Sequence, residues 1–268
     1  MKSEILTSAQ NPKVKLLQEL TQKSSERRKR GLFVVEGRRE VERCAANGYV
    51  LDTVFCCPEI YGKAWEQAGA EKVITISPLI YNKVAYRGGT EGIIAEVKMK
   101  EKTLSSLQLP QNPLVVVLER IEKPGNLGAV LRSADAAGVN AVIVCDPLTD
   151  LYNPNILRSS TGAFFSVPCV ACSSEECIGW LRQHNIQILT AQLQDSHLYY
   201  DTDMRGATAI VMGTEATGLT LQWRQVADAH IRIPMLGCAD SLNVSVSAAI
   251  LMFEAVRQRQ SSLSPESL

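Results

Sequence analysis

Three short segments in the second half of the chain gather glycines, amides, hydroxyls and single charges in ways that suit ligand chemistry. The first is Lys123-Pro124-Gly125-Asn126-Leu127-Gly128-Ala129-Val130-Leu131-Arg132. Pro-Gly there makes a sharp turn, Asn126 is a good helix N-cap, and Gly128 admits a close neighbouring backbone. The second is Met212-Gly213-Thr214-Glu215-Ala216-Thr217-Gly218-Leu219. It places Glu215 between glycines, where backbone can approach a ligand. The third runs from Ile233-Pro234-Met235 through Asp240-Ser241-Leu242-Asn243-Val244-Ser245 to Ser247. Asn243 would cap the helix that follows, and one cap needs only one polar residue, whereas this segment offers five. Taken singly, each segment also reads as ordinary turn and capping chemistry. The glycine loop lacks the G-x-G-x-x-G of a dinucleotide site.

The elements around these segments place them at strand ends. Leu114-Val115-Val116-Val117-Leu118 is an apolar run of strand length, as expected of a strand buried on both faces. A helix over 125–137 follows, then a strand over 141–145. Further strands are expected at 187–191, 209–212 and 230–233, with helices between them. This alternation predicts an α/β domain with a mainly parallel sheet covered on both sides, and such sheets bind ligands beyond the carboxyl ends of their strands. The last helix, 244–260, is apolar nearly all round in its first half and is expected to be buried. Upstream, residues 1–97 read as a smaller α/β unit. It carries a helix around 13–20, the basic run Arg27-Arg28-Lys29-Arg30, a strand at Leu32-Phe33-Val34-Val35, a helix over 38–47, and strands near 54–57, 73–76 and 93–97. Residues 98–113, polar and ending in Pro-Gln-Asn-Pro, read as a linker, which leaves 114–268 as the second domain.

In this order the three segments resemble the signature motifs of the SpoU (TrmH-like) branch of the SPOUT RNA methyltransferases. The matching residues are Pro124-Gly125-Asn126-Leu127-Gly128 with Arg132, then Gly213-x-Glu215-x-x-Gly218-Leu219, then Ile233-Pro234-Met235 with Ser241-Leu242-Asn243-Val244-Ser245-Val246. Motif one usually has Asp where this chain has Lys123, and motif two usually reads Asn-Glu-Gly where this chain has Thr214-Glu215-Ala216. The resemblance implies S-adenosylmethionine as cofactor, methyl transfer to a ribose 2′-hydroxyl, and a deep C-terminal trefoil knot. It assigns Gly213, Thr214, Ile233, Met235, Leu242 and Asn243 to the cofactor. It assigns Arg132, Glu215, Asn243 and Ser245 to the chemistry, in a homodimer whose arginine reaches across from the partner chain. The N-terminal Ser8-Ala9-Gln10-Asn11-Pro12-Lys13-Val14-Lys15 and Gly31-Leu32-Phe33-Val34-Val35-Glu36-Gly37-Arg38 resemble the RNA-binding domain often fused to these enzymes, similar in fold to ribosomal protein L30e.

The expected partner is therefore RNA, ribosomal first and transfer RNA second. The net charge of zero means that any basic surface must be local. Arg27, Arg28, Lys29 and Arg30 are candidate phosphate contacts, although a solvated helix end explains such a run equally well, and Arg158 is a further candidate. Aromatic residues are only 6% of the chain and dispersed, so no base-stacking platform is evident. Neither a secretory signal nor a membrane-spanning run is evident, and a cytoplasmic location is expected. The eight cysteines are expected as free thiols. Cys169-x-x-Cys172 with Cys177 lacks a second paired motif, and no metal is expected. A catalytically inactive RNA-binding protein on the same fold is the alternative. A nucleotide-dependent oxidoreductase would need a glycine turn that this chain does not have.

Overall fold

The computed structural model describes residues 4–65, 69–86, 91–214 and 217–261. Two compact units divide the chain: residues 1–101 together with 150–166, and residues 102–149 together with 167–268.

In the first unit, strands β1 (Glu4–Leu6), β2 (Leu32–Glu36), β3 (Leu51–Cys56), β4 (Ala70–Ile76) and β5 (Ile93–Lys98) form a mixed sheet in the order β1-β4-β3-β5-β2. Helices α1 (Pro12–Gln22), α2 (Ser24–Arg30), α3 (Arg38–Ala46), α4 (Pro58–Tyr61) and α5 (Pro78–Val84) connect them. Helix α1 buries Val14, Leu17 and Leu20 at three-residue spacing, as its periodicity predicts, and Asn11 caps it by accepting from Lys13 N at 2.9 Å. Helices α7 (Pro154–Ser159) and α8 (Ala163–Ser166) belong to this unit as well, although a cut at 97 or 113 would give them to the other. Aromatic packing holds them there. Phe33 lies 4.5 Å from Tyr152 between ring centroids, Tyr49 lies 5.3 Å from Phe165, and Tyr152 Oη donates to Lys100 O at 2.9 Å.

The second unit carries a seven-stranded sheet whose pairings are all parallel. Its strands are β6 (Leu114–Glu119), β7 (Ala141–Cys145), β8 (Cys169–Cys172), β9 (Gln187–Ala191), β10 (His197–Leu198), β11 (Thr208–Met212) and β12 (Ala229–Arg232), in the order β10-β12-β9-β11-β6-β7-β8. Helices α6 (Pro124–Ala136), α9 (Ser174–Gln183), α10 (Leu221–Val226) and α11 (Val244–Ser261) belong to it. Strands β6, β7 and β11 are buried along their whole length, which explains their unbroken apolar character. The linker is partly pinned, since Leu104, Leu107 and Leu109 pack on this core.

The expectation of a fully buried last helix does not hold. Helix α11 buries Ala248, Leu251, Met252 and Ala255 and packs against α6, whereas Val246 and Phe253 are each 47% exposed. With Ile250 half-buried between them, these residues recur at i, i+4 and i+7 and form an apolar stripe on the surface of the single chain. Strands β1, β8 and β10, short or set in mixed sequence, had no expectation attached to them.

Candidate active site

The three chemical segments leave the same edge of the parallel sheet. Strands β6 and β11 are neighbours in register, with Leu118 opposite Met212, so the loops after them emerge side by side. The third segment leaves β12, which is joined to β11 through β9. All three therefore lie beyond carboxyl ends of strands, where open α/β sheets hold ligands.

Local sequence fixes each loop. Pro124 occupies the first turn of α6, where a missing N–H costs nothing, so the helix starts before Asn126. Asn126 is thus not the N-cap that its type suggested. Its Oδ1 instead accepts from Asn243 Nδ2 at 3.2 Å and joins the first segment to the third. Asn243 does cap α11: its Oδ1 accepts from Ser245 N at 2.9 Å and from Ser245 Oγ at 2.6 Å. Asn243 is exposed and Ser245 half-buried, so in the single chain these polar groups satisfy one another and not a closed interior.

The second segment folds back on itself. Thr214 and Gly218 exchange backbone hydrogen bonds of 3.2 and 3.1 Å, and Thr214 Oγ1 accepts from Thr217 N at 3.0 Å. The turn presses on Gly213, where a Cβ would overlap the Gly218 carbonyl and Leu219 N. Glycine is therefore required at 213 for space. Glu215 lies outside the described residues. Behind the turn, the buried carboxylate of Glu119, at the end of β6, accepts from Thr220 N at 2.8 Å and Thr220 Oγ1 at 2.6 Å. Glu119 and Thr220 thus anchor the first loop to the second. Sequence reading passed over both, and the only signal was a lone acid ending an apolar strand.

Arg132, two turns along α6, is exposed, and among the described residues no carboxylate forms an ion pair with it. Ile233 and Met235 are half-buried, as is Leu242, while Leu236 between them is 97% exposed. The arrangement offers apolar side chains, backbone groups packed without room for side chains, and one exposed guanidinium. That set fits the flat base, ribose and cation of S-adenosylmethionine better than it fits a metal or a phosphate.

The basic candidates separate. Arg28, Lys29 and Arg30 are exposed on α2. Arg27 is not a surface charge. It is 2% exposed, its Nε donates to Asp150 at 2.6 Å and its Nη1 donates to the carbonyls of Leu20 and Thr21, so it is a buried structural arginine. Arg158 belongs to the first unit and lies 3.9 Å from Glu36 Oε1. Among the described residues no helix is long and apolar enough to cross a membrane.

Comparison with known proteins agrees with this geometry. Residues 113–253 match the SpoU rRNA Methylase family, and residues 11–95 match the MRM3-like substrate binding domain. The chain is 41% identical over 175 residues to the 23S rRNA (guanosine-2′-O-)-methyltransferase RlmB of Salmonella typhi, which covers 63% of this chain and 72% of that enzyme. Among solved structures, an RNA 2′-O ribose methyltransferase superposes with a TM-score of 0.82 at 38% identity, over 96% of this chain and 99% of its own. The SpoU methyltransferase AviRb from Streptomyces viridochromogenes, in complex with AdoMet, superposes with a TM-score of 0.86 at 28% identity, over 95% and 100%. With its three motif loops gathered at one edge of the matched parallel sheet, the chain belongs to the SpoU rRNA Methylase family.

Proposed function

We propose that this protein transfers a methyl group from S-adenosylmethionine to the 2′-hydroxyl of a ribose in ribosomal RNA. The observation that carries this reading is the convergence of the three motif loops beyond the carboxyl ends of β6, β11 and β12, the first joined to the third through Asn126 and Asn243 and to the second through Glu119 and Thr220. Support for the substrate comes from relatives named for 23S rRNA, and for the cofactor from the AdoMet complex of AviRb. When bound, the cofactor supplies an electrophilic methyl on a sulfonium. The chain then has to aim the hydroxyl in line and let its proton leave.

Gly213, Thr214, Ile233, Met235, Leu242 and Asn243 are assigned to holding the cofactor. The N–H, carbonyl and hydroxyl of Thr214 are already engaged in its own turn, which leaves its methyl for contact. Arg132 is assigned to the ribose. A guanidinium keeps its proton and is a poor base, so Arg132 orients the hydroxyl and stabilises the developing oxyanion while water takes the proton. Glu215, Asn243 and Ser245 complete the catalytic group. The apolar stripe of α11 is assigned to a homodimer interface, beside which the partner's arginine completes each site. The knotted threading of the family, a cytoplasmic setting, and RNA binding by residues 1–97 through Arg28, Lys29 and Arg30, with Arg158 as a further contact, belong to the same reading.

The test is to incubate the protein with methyl-labelled S-adenosylmethionine and with ribosomal and transfer RNA from cells lacking the gene, alongside Arg132→Ala. Label in a 2′-O-methyl nucleoside of ribosomal RNA, reduced at least about a hundredfold by the variant while cofactor binding persists, is the expected result. Label in transfer RNA alone would overturn the substrate, and absence of cofactor binding would favour an inactive RNA-binding protein.

A further inference from the structure

The second unit holds a group of thiols that the methyl-transfer reading does not use. Cys145 ends β7 and Cys172 ends β8, and the two are paired directly across these parallel strands. Cys177 comes from the first turns of α9, whose Ser173–Glu176 capping box fixes the start of that helix. The three sulfurs lie within 4.8 Å of one another. Cys145 and Cys177 are fully buried and Cys172 is half-buried. The sequence motif Cys169-x-x-Cys172 is not the relevant pair, because Cys169 opens β8 opposite Val142 while Cys172 closes it.

Scattered buried cysteines are ordinary core packing. Three thiols converging from three elements are a different arrangement. Their sulfurs meet beside a core that includes Val170, Leu181 and Trp223. Three sulfurs at this separation match the ligand type and span of a tetrahedral site, and thiolates select a soft cation.

We propose that Cys145, Cys172 and Cys177 form a three-thiolate zinc site, with water in the fourth position on the half-exposed side of Cys172. Zinc–sulfur bonds of about 2.3 Å at tetrahedral angles set sulfurs about 3.8 Å apart, so each sulfur needs to move inward by roughly 0.6 Å at most. Binding displaces the thiol protons, and occupancy therefore falls as pH falls. The ion clamps the edge strand β8 to β7 and α9 and does not depend on the methyltransferase reading.

The full-length protein, purified under reducing conditions, is assayed for zinc content and titrated with cobalt(II) as a spectroscopic probe. One zinc per chain and a thiolate-to-cobalt charge-transfer band are expected. Both should be lost in Cys172→Ser and retained in Cys238→Ser, since Cys238 is exposed and outside the cluster. Circular dichroism checks that each variant is folded. Should Cys177→Ser unfold, the wild-type titration and the half-exposed Cys172→Ser decide the question. Equal zinc in wild type and Cys172→Ser, no charge-transfer band, or a disulfide between two of the three cysteines would each overturn the site.

Discussion

Arg27 and its three neighbours show how far one residue's environment departs from its type. Four consecutive cations read as one phosphate-binding patch, yet helical geometry turns Arg27 inward onto Asp150 and two carbonyls. Arg27→Ala leaves Asp150 and those carbonyls without their buried partner and should cost about 3 kcal/mol in chemical denaturation. The double variant Arg28→Ala, Lys29→Ala should leave stability within about 0.5 kcal/mol. It should also weaken RNA binding and make the salt dependence of binding shallower by roughly one unit per charge removed. Glu96, on the interior strand β5, is the other residue whose type misleads. Burial, and then the nearby charge of Asp52, push its carboxyl from 4.5 up to about 7, and its Oε1 has no hydrogen-bond partner among the described residues. The folded state thus keeps a proton that the unfolded chain has already lost. Stability conferred by that proton is complete below pH 4.5 and is lost as pH rises to about 7. Glu96→Gln should therefore gain on the order of 3 kcal/mol relative to wild type at pH 8 compared with pH 4.5. Equal urea midpoint differences at the two pH values would contradict this.

Among elements, the turn after β11 is the most constrained. It closes because Gly213 has no side chain, and Glu119 holds its far end through Thr220. Gly213→Ala would force the Gly218 peptide away and open the turn proposed to contact the cofactor. Calorimetric titration should show S-adenosylmethionine binding at least about tenfold weaker, with the melting temperature little changed because the strand below is untouched. An unaltered affinity would mean that the turn does not touch the cofactor.

At the scale of the molecule, the proposed homodimer turns on the exposed stripe of α11. Val246, Ile250 and Phe253 leave apolar surface in water that a second chain would cover. Light scattering should give about twice the 29.4 kDa of one chain. Phe253→Glu should shift it to the monomer and lower turnover at least about tenfold, because a carboxylate at that position is costly to bury. A monomeric wild type with full turnover would sink the shared-site reading.

The sequence alone determined five strands of the parallel sheet, β6, β7, β9, β11 and β12, and the chemical segments at the ends of three of them. Both signals are local: a strand buried on both faces must be apolar throughout, and a loop that approaches a ligand needs glycines and short polar side chains where the backbone turns. Helix α11 was legible as a helix for the same reason, but its exposed face was not, because composition does not say which neighbours exist. Only the tertiary structure decided the rest. It placed 150–166 with the first unit by packing Tyr152 and Phe165 on Phe33 and Tyr49, and it joined Asn126 to Asn243 across 117 positions of chain. It also exchanged Cys169 for Cys145 in the thiol cluster. These contacts bring together residues far apart in the chain, and their partners are chosen by sheet order and burial, which periodicity along the chain does not encode.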